Sequence, residues 1–247
     1  MPSKTFIVLL SSLLLGACSG NWGWHVVSPL TASGRDNLWF LISGLKYTVA
    51  VSLLAIAISI VLGLLIALLA LSKRRWMRRL NRLWVEVFRA VPLLVLLLWV
   101  YYGLPQLLPG WQIGVFAAGV IALALSDSAF EAEIFRAGIQ SIDKGQHEAA
   151  QALGLGYWPT MRHIIMPQAL RRILPPLGNQ LVYMLKMSSL VSVIGMTELT
   201  RRANELVVVE YRSLEIYSVL VLEYLALILL VSFLVRRLER RMSRADR

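Results

Sequence analysis

Five ionisable residues stand inside runs of sequence that are otherwise apolar. Asp127, Glu131 and Glu133 fall within residues 113–135, and Lys186 and Glu223 lie in two later runs. Charges at such positions are costly in lipid and persist where they pair or face a wet cavity. Together they offer a partner for each end of a zwitterion. Carboxylates suit an ammonium group, Lys186 suits a carboxylate, and the hydroxyls of Ser188 and Ser189 lie on the same stretch as the lysine. The excess of acids hints at a cationic solute. A second reading stands equally. Asp127 and Glu131 are four apart, and Glu133 and Arg136 three apart, so each pair shares a helix face and can hold a bundle together. Glu223 either pairs with Lys186, pairs with an arginine of another subunit, or lies near the outer surface in water.

Bond-making chemistry has no comparable constellation. The three histidines, His25, His147 and His163, are scattered, and a single Cys forms no ligand cluster, so no metal site is expected. No HExxH or GxSxG pattern supports a membrane enzyme, and no GxxxxGK[ST] phosphate loop is present. One Cys also excludes an internal disulfide framework.

The other informative stretch is polar, HEAAQALGLGYWPTMRHIIMP, from His147 to Pro167. Asp143 stands where a cap belongs, with Gln146 three residues on to complete a reciprocal box. Ala149, Ala150, Ala152 and Leu153 favour a helix, and Gly154 with Gly156 stops it. The result is a short helix with an alanine surface that another protein can approach closely. Pro159 is expected to start a second helix and Pro167 to bend or end it.

The elements that carry these residues are membrane spans. Of 247 residues 57% are hydrophobic and only 16% charged, which is too apolar for a soluble domain. The net charge of +11 sits beside the ends of apolar runs, a footprint of topology and anionic lipid and not of nucleic acid. Five spans follow: residues 38–71, with 37–47 along the interface; 83–104, kinked at Pro92; 113–135; a fourth after Pro167, opened by Pro175 and Pro176; and 216–235. Residues 200–214 carry mixed charge and are expected on the outer side. The clusters Lys73–Arg82, Arg171–Arg172 and Arg236–Arg247 then share the inner side with the 147–167 segment. Ahead of these, Lys4, an apolar run and Leu15-Gly16-Ala17-Cys18 describe a signal-like segment over 1–24. Cys18 is either lipidated after cleavage or part of a retained anchor.

The 147–167 segment resembles the EAA loop of the membrane subunits of ABC importers: Glu-Ala-Ala, three residues, Gly, nine residues, Ile, one residue, Leu-Pro. Glu148, Ala149, Ala150, Gly154, Ile164 and Pro167 fall in register, with Met166 for the usual Leu. The flanks resemble the polar amino acid permeases. Residues 85–105 are similar to "fRgtPllvql…yfglP", and 129–146 to "AY.aEi.RgaiqsI.kGQ", with Phe130 for Tyr. Met187 departs from the family's acidic residue after Lys186.

The resemblance implies an all-α integral membrane protein with the five-helix core of type-1 importers over 40–235, an extra N-terminal hydrophobic segment, and a basic tail over 236–247. It implies a coupling helix built on His147, Glu148, Ala149, Ala150 and Leu153, followed by Gly154, Ile164 and Pro167. It implies an inner-membrane, multi-pass permease with a cytoplasmic C-terminus. The chain holds no cofactor of its own, since ATP and Mg belong to a partner ATPase dimer. A second permease subunit, a periplasmic substrate-binding protein and membrane lipids complete the expected partners, with no nucleic acid. The competing class is a passive channel or envelope protein without ATPase coupling.

Overall fold

The computed structural model describes residues 22–107, 110 and 112–244; Lys4, Cys18 and Pro109 lie outside the described residues. Every regular element among the described residues is helical. After a short turn at Trp24–Val27, α1 (Ala32–Ile42) and α2 (Leu45–Ala70) form one span of 39 residues. Thr31 caps α1 by accepting from the Gly34 amide.

The expected second span divides. α3 (Arg75–Ala90) and α4 (Leu93–Leu98) meet at an angle of 98°, with Pro92 at the N-cap of α4. Pro92 has no N–H to give to the preceding turn, and Val91 before it is pushed to extended backbone. The sequence expectation of one kinked helix is therefore corrected to a break. A π-turn (Trp99–Gly103) continues α4 into Leu104–Leu107.

The third span is α5 (Val115–Gln140), then come α6 (Lys144–Ala152) and a helical turn at Tyr157–Thr160. A second π-turn, Met161–Ile165, leads into α7 (Met166–Met187). Each π-turn ends two residues before a proline, Pro105 or Pro167. A widened turn accommodates a ring that would otherwise strike the carbonyl one turn back. Pro167 accordingly neither bends nor ends the chain here, and Pro175 and Pro176 lie inside α7 where the sequence placed a helix start. A 3-10 segment, Ser188–Ile194, closes this span.

The mixed-charge residues 200–210 are helical. They fold into α8 (Leu199–Glu210), capped by the Glu198 side chain and laced by Arg201–Glu205 and Arg202–Glu205 pairs. The last span is α9 (Ser213–Arg244). Three helices are each long and apolar enough to cross a membrane, and two bent pairs raise the count to five among the described residues.

The core is built on α2 against α5. Small residues let the backbones approach: Ala55, Ala118, Ala122, Ala129 and Ala132 are fully buried. A Cβ added at Gly63 would lie 2.7 Å from the Glu131 Cβ and 3.1 Å from the Ala132 nitrogen. Leu97 and Val100 of the α4 span, and Met184 and Val191 of the α7 span, pack into the same cluster. Two smaller clusters mark the ends of the bundle. One gathers Ala67, Phe135, Ile142, Ile165 and Ile173 beneath α6. The other joins Val26, Leu41, Leu206 and Ile216 at the opposite end.

Candidate functional site

The segment around α6 projects from one end of the bundle. Asp143 accepts from the Gly145 amide at 2.6 Å, so the cap forms. Its reciprocal half does not: the Gln146 side chain accepts instead from Gln168 of α7, at 3.2 Å. Leu153 and then Gly154 end the helix, with Gly154 at φ +76°, a left-handed conformation that glycine adopts without strain. Pro159 is the third residue of the following turn and not its first, a position whose N–H is still unbonded within a helix.

The α6 surface is partitioned. Ala150 is buried against the bundle, His147 is half-buried, and Glu148 and Ala149 are exposed. Leu153 is 80% exposed, and the adjoining Tyr157 and Trp158 are 69% and 78% exposed. These two aromatic rings meet edge to face. The sequence reading passed over them because it weighed only the residues in register with the loop pattern. Ile164 is half-buried and Pro167 exposed. Below this hook, Arg172 donates to the Ser141 carbonyl at 2.5 Å and fastens α7 to the α5–α6 joint.

The intramembrane candidates fall into three separate places. Asp127 and Glu131 share a face of α5, as their spacing requires, but that face is packed against α2. Asp127 accepts from Ser59 at 3.1 Å and from Gln180, so it ties α2, α5 and α7 together. Both oxygens of Glu131 are buried, and neither makes a hydrogen bond of normal geometry among the described residues. Glu133 lies on another face, where it accepts from Arg136 Nε at 3.2 Å, and Arg136 also donates to Gln140.

Lys186 and Ser189 line a cavity of about 430 Å³ with Tyr224, Leu225 and Ile228 of α9. Ser188, fully buried, donates to the Leu185 carbonyl. Glu223 sits one residue from Tyr224, and its buried oxygens have no hydrogen-bond partner among the described residues. It forms no ion pair with Lys186 among the described residues.

Glu198 is a further polar centre. It accepts from the Arg201 amide at 2.8 Å and from the Tyr224 hydroxyl at 2.8 Å, while Thr48 lies at 3.5 Å. One buried carboxylate thus joins α2, α8 and α9. No group of three or more His, Cys, Asp and Glu that could hold a metal occurs among the described residues.

An exposed hook is thus fastened to α5 and α7 at one end of the bundle. A family profile described as "Binding-protein-dependent transport system inner membrane component" matches residues 59–244. The chain belongs to that family. As a permease it is 42% identical over 204 residues to the glutamine transport system permease protein GlnP of Escherichia coli (strain K12), covering 82% of this chain and 93% of that protein. It is 39% identical over 207 residues to the arginine transport system permease protein ArtQ of Bacillus subtilis (strain 168), covering 84% and 94%. The permease also superposes on a solved amino acid ABC transporter crystallised with histidines, with a TM-score of 0.79 and 44% identity over 85% of this chain and 97% of that one. A chain of the MetNI methionine transporter shares the fold, with a TM-score of 0.70 at 24% identity over 83% and 97%. The chain is therefore a permease of a binding-protein-dependent ABC importer, and the passive-channel reading falls away.

Proposed function

We propose that this permease moves a polar amino acid inward across the bacterial inner membrane by alternating access, driven by a pair of cytoplasmic ABC ATPases that bind and hydrolyse MgATP. Two permease subunits enclose the path, and a periplasmic binding protein delivers the solute. The relatives named for glutamine and arginine support this solute class. The α6 end faces the cytoplasm in this reading, because the basic residues Lys73, Arg74, Arg75, Arg171, Arg236, Arg237 and Arg240 flank the apolar spans on that side.

The observation that carries the reading is the exposed hook. Glu148, Ala149 and Leu153, with Tyr157 and Trp158, form a polar-and-aromatic surface whose base is bonded to α5 and α7. Closure of the ATPases moves the hook, α5 and α7 tilt with it, and the cavity switches sides. Among the candidates, Lys186 and Ser189 line the cavity between α7 and α9, and the buried carboxylate of Glu223 belongs to the residue next to Tyr224 of that lining. Lys186 suits the solute carboxylate and Glu223 its ammonium. Asp127 and Glu131 serve the packing of the bundle.

Glu148→Arg is the test. The variant is expected to fold and insert normally while ATP hydrolysis no longer drives uptake in proteoliposomes with the binding protein present. Unchanged uptake would refute the role of α6. Competition by arginine, glutamine and glutamate in the same assay reads the solute.

A further inference from the structure

The 16 residues of α3 divide into three sectors at about 100° per residue. Asn81, Trp84, Val85 and Phe88 face the bundle: Asn81 donates to the Ile66 carbonyl at 3.0 Å, and Trp84 Nε1 to Ser128 at 3.0 Å. The next sector carries Arg75, Arg78, Arg79, Arg82 and Arg89, all exposed, with Glu86 among them. The third is apolar and largely uncovered by the described residues: Trp76 is 57% exposed, Leu80 45%, Leu83 59% and Val87 44%.

A cavity of about 490 Å³ opens between the arginine sector and α5. Arg78, Arg82, Arg89 and Arg136 line it, opposed by Glu86 and Glu133, which leaves two positive charges in excess. Some of that charge is already engaged. Arg136 is held by Glu133 and Gln140, Arg78 donates to the Ser72 and Lys73 carbonyls, and Arg89 stacks 5.2 Å from the Phe130 ring. Arg82 has no hydrogen-bond or ion-pair partner among the described residues.

We infer that this crevice holds the headgroup phosphate of an anionic diacyl phospholipid, whose acyl chains lie along Trp76, Leu80, Leu83 and Val87. A soluble anion would need only the arginines. A docked acidic protein segment would need no apolar stripe turned toward hydrocarbon. The adjacency of the two sectors on one helix, beside a bend of 98° that lays α3 across the spans, fits a ligand with charge at one end and chains at the other. The guanidinium fork suits phosphate oxygens. The inference takes from the proposed function only which leaflet supplies the lipid.

The experiment is native mass spectrometry of the full chain, offered phosphatidylglycerol and phosphatidylcholine in equal amounts. Both lipids are supplied without regard to leaflet, so the result is independent of orientation and transport. The wild-type chain is expected to retain phosphatidylglycerol preferentially. Arg78→Gln with Arg82→Gln should weaken that preference by about tenfold or more, and the corresponding Lys pair should keep most of it. Leu80→Ala with Leu83→Ala should lower retention of both lipids. Thermal unfolding midpoints check that each variant is folded. If the Gln pair aggregates, added salt on the wild type reads the same term, since the preference should fall as ionic strength rises. Equal retention of the two lipids by the wild type overturns the proposal. So does a preference that survives both the Gln pair and salt, displacement by glycerol 3-phosphate alone, or loss of the bound lipid when the ATPase is added.

Discussion

The hook at 143–167 and the carboxyl pair in α5 are both polar interruptions of an apolar chain, yet they are built on opposite terms. The hook keeps its chemistry outside: Glu148, Leu153, Tyr157 and Trp158 are exposed, and only its base is packed. The α5 pair keeps its chemistry inside, with Asp127 and Glu131 at 3% and 0% exposure and Ser59 and Gln180 as the neighbours of Asp127. A polar residue in a membrane protein is therefore not by itself a mark of the solute path. What faces it decides whether it binds something external or holds helices together.

The largest effect should come from forcing the α5 side apart. Gly63→Leu would drive a side chain into Glu131 and the α5 backbone, costing more than about 3 kcal/mol. Loss of monodisperse protein on size exclusion is expected, and a well-folded variant would show that the interface is looser than described.

The two carboxyls should then separate from one another. Asp127→Leu strips an acceptor from Gln180 and Ser59 and should destabilise by about 2 kcal/mol. Glu131→Met removes oxygens that make no hydrogen bond of normal geometry among the described residues, at nearly constant volume, and should stabilise by about 1 kcal/mol. Thermal midpoints in detergent would give opposite signs; the same sign for both would mean that Glu131 has a partner in the assembled importer.

The smallest effect on folding belongs to the hook. Trp158→Ala should change stability by less than about 0.5 kcal/mol while reducing co-purification of the ATPase severalfold. Undiminished co-purification would place the contact on Glu148 and Ala149 alone.

Much of this was legible in residue order. The five spans, the cap at Asp143 and the stop at Gly154 follow from composition and spacing, because local propensity and the membrane act in the same direction there. The break at Val91–Pro92 was underestimated as a kink, since a proline fixes where a helix yields but not the angle, which α5 packing decides. Helix α8 has little signal in the sequence, because its cap and ion pairs act over three and four residues and need Glu198 buried behind them. Asp127 and Glu131 were grouped with Lys186 and Glu223 because spacing shows which residues share a face but not what that face meets. Only Gly63 opposite Glu131 carried a trace of the answer, as a place where two backbones come close.

The π-turn before Pro167 has a mechanical consequence. With the proline absorbed and not breaking the chain, helix runs from Tyr157 to Met187, a rod of about 45 Å that begins at the hook and ends near the Glu198 hub. If the hook meets an ATPase as proposed, torque applied at Trp158 would be carried along one continuous helix, as in a crank, toward the end of the bundle where Glu198 joins Thr48 and Tyr224.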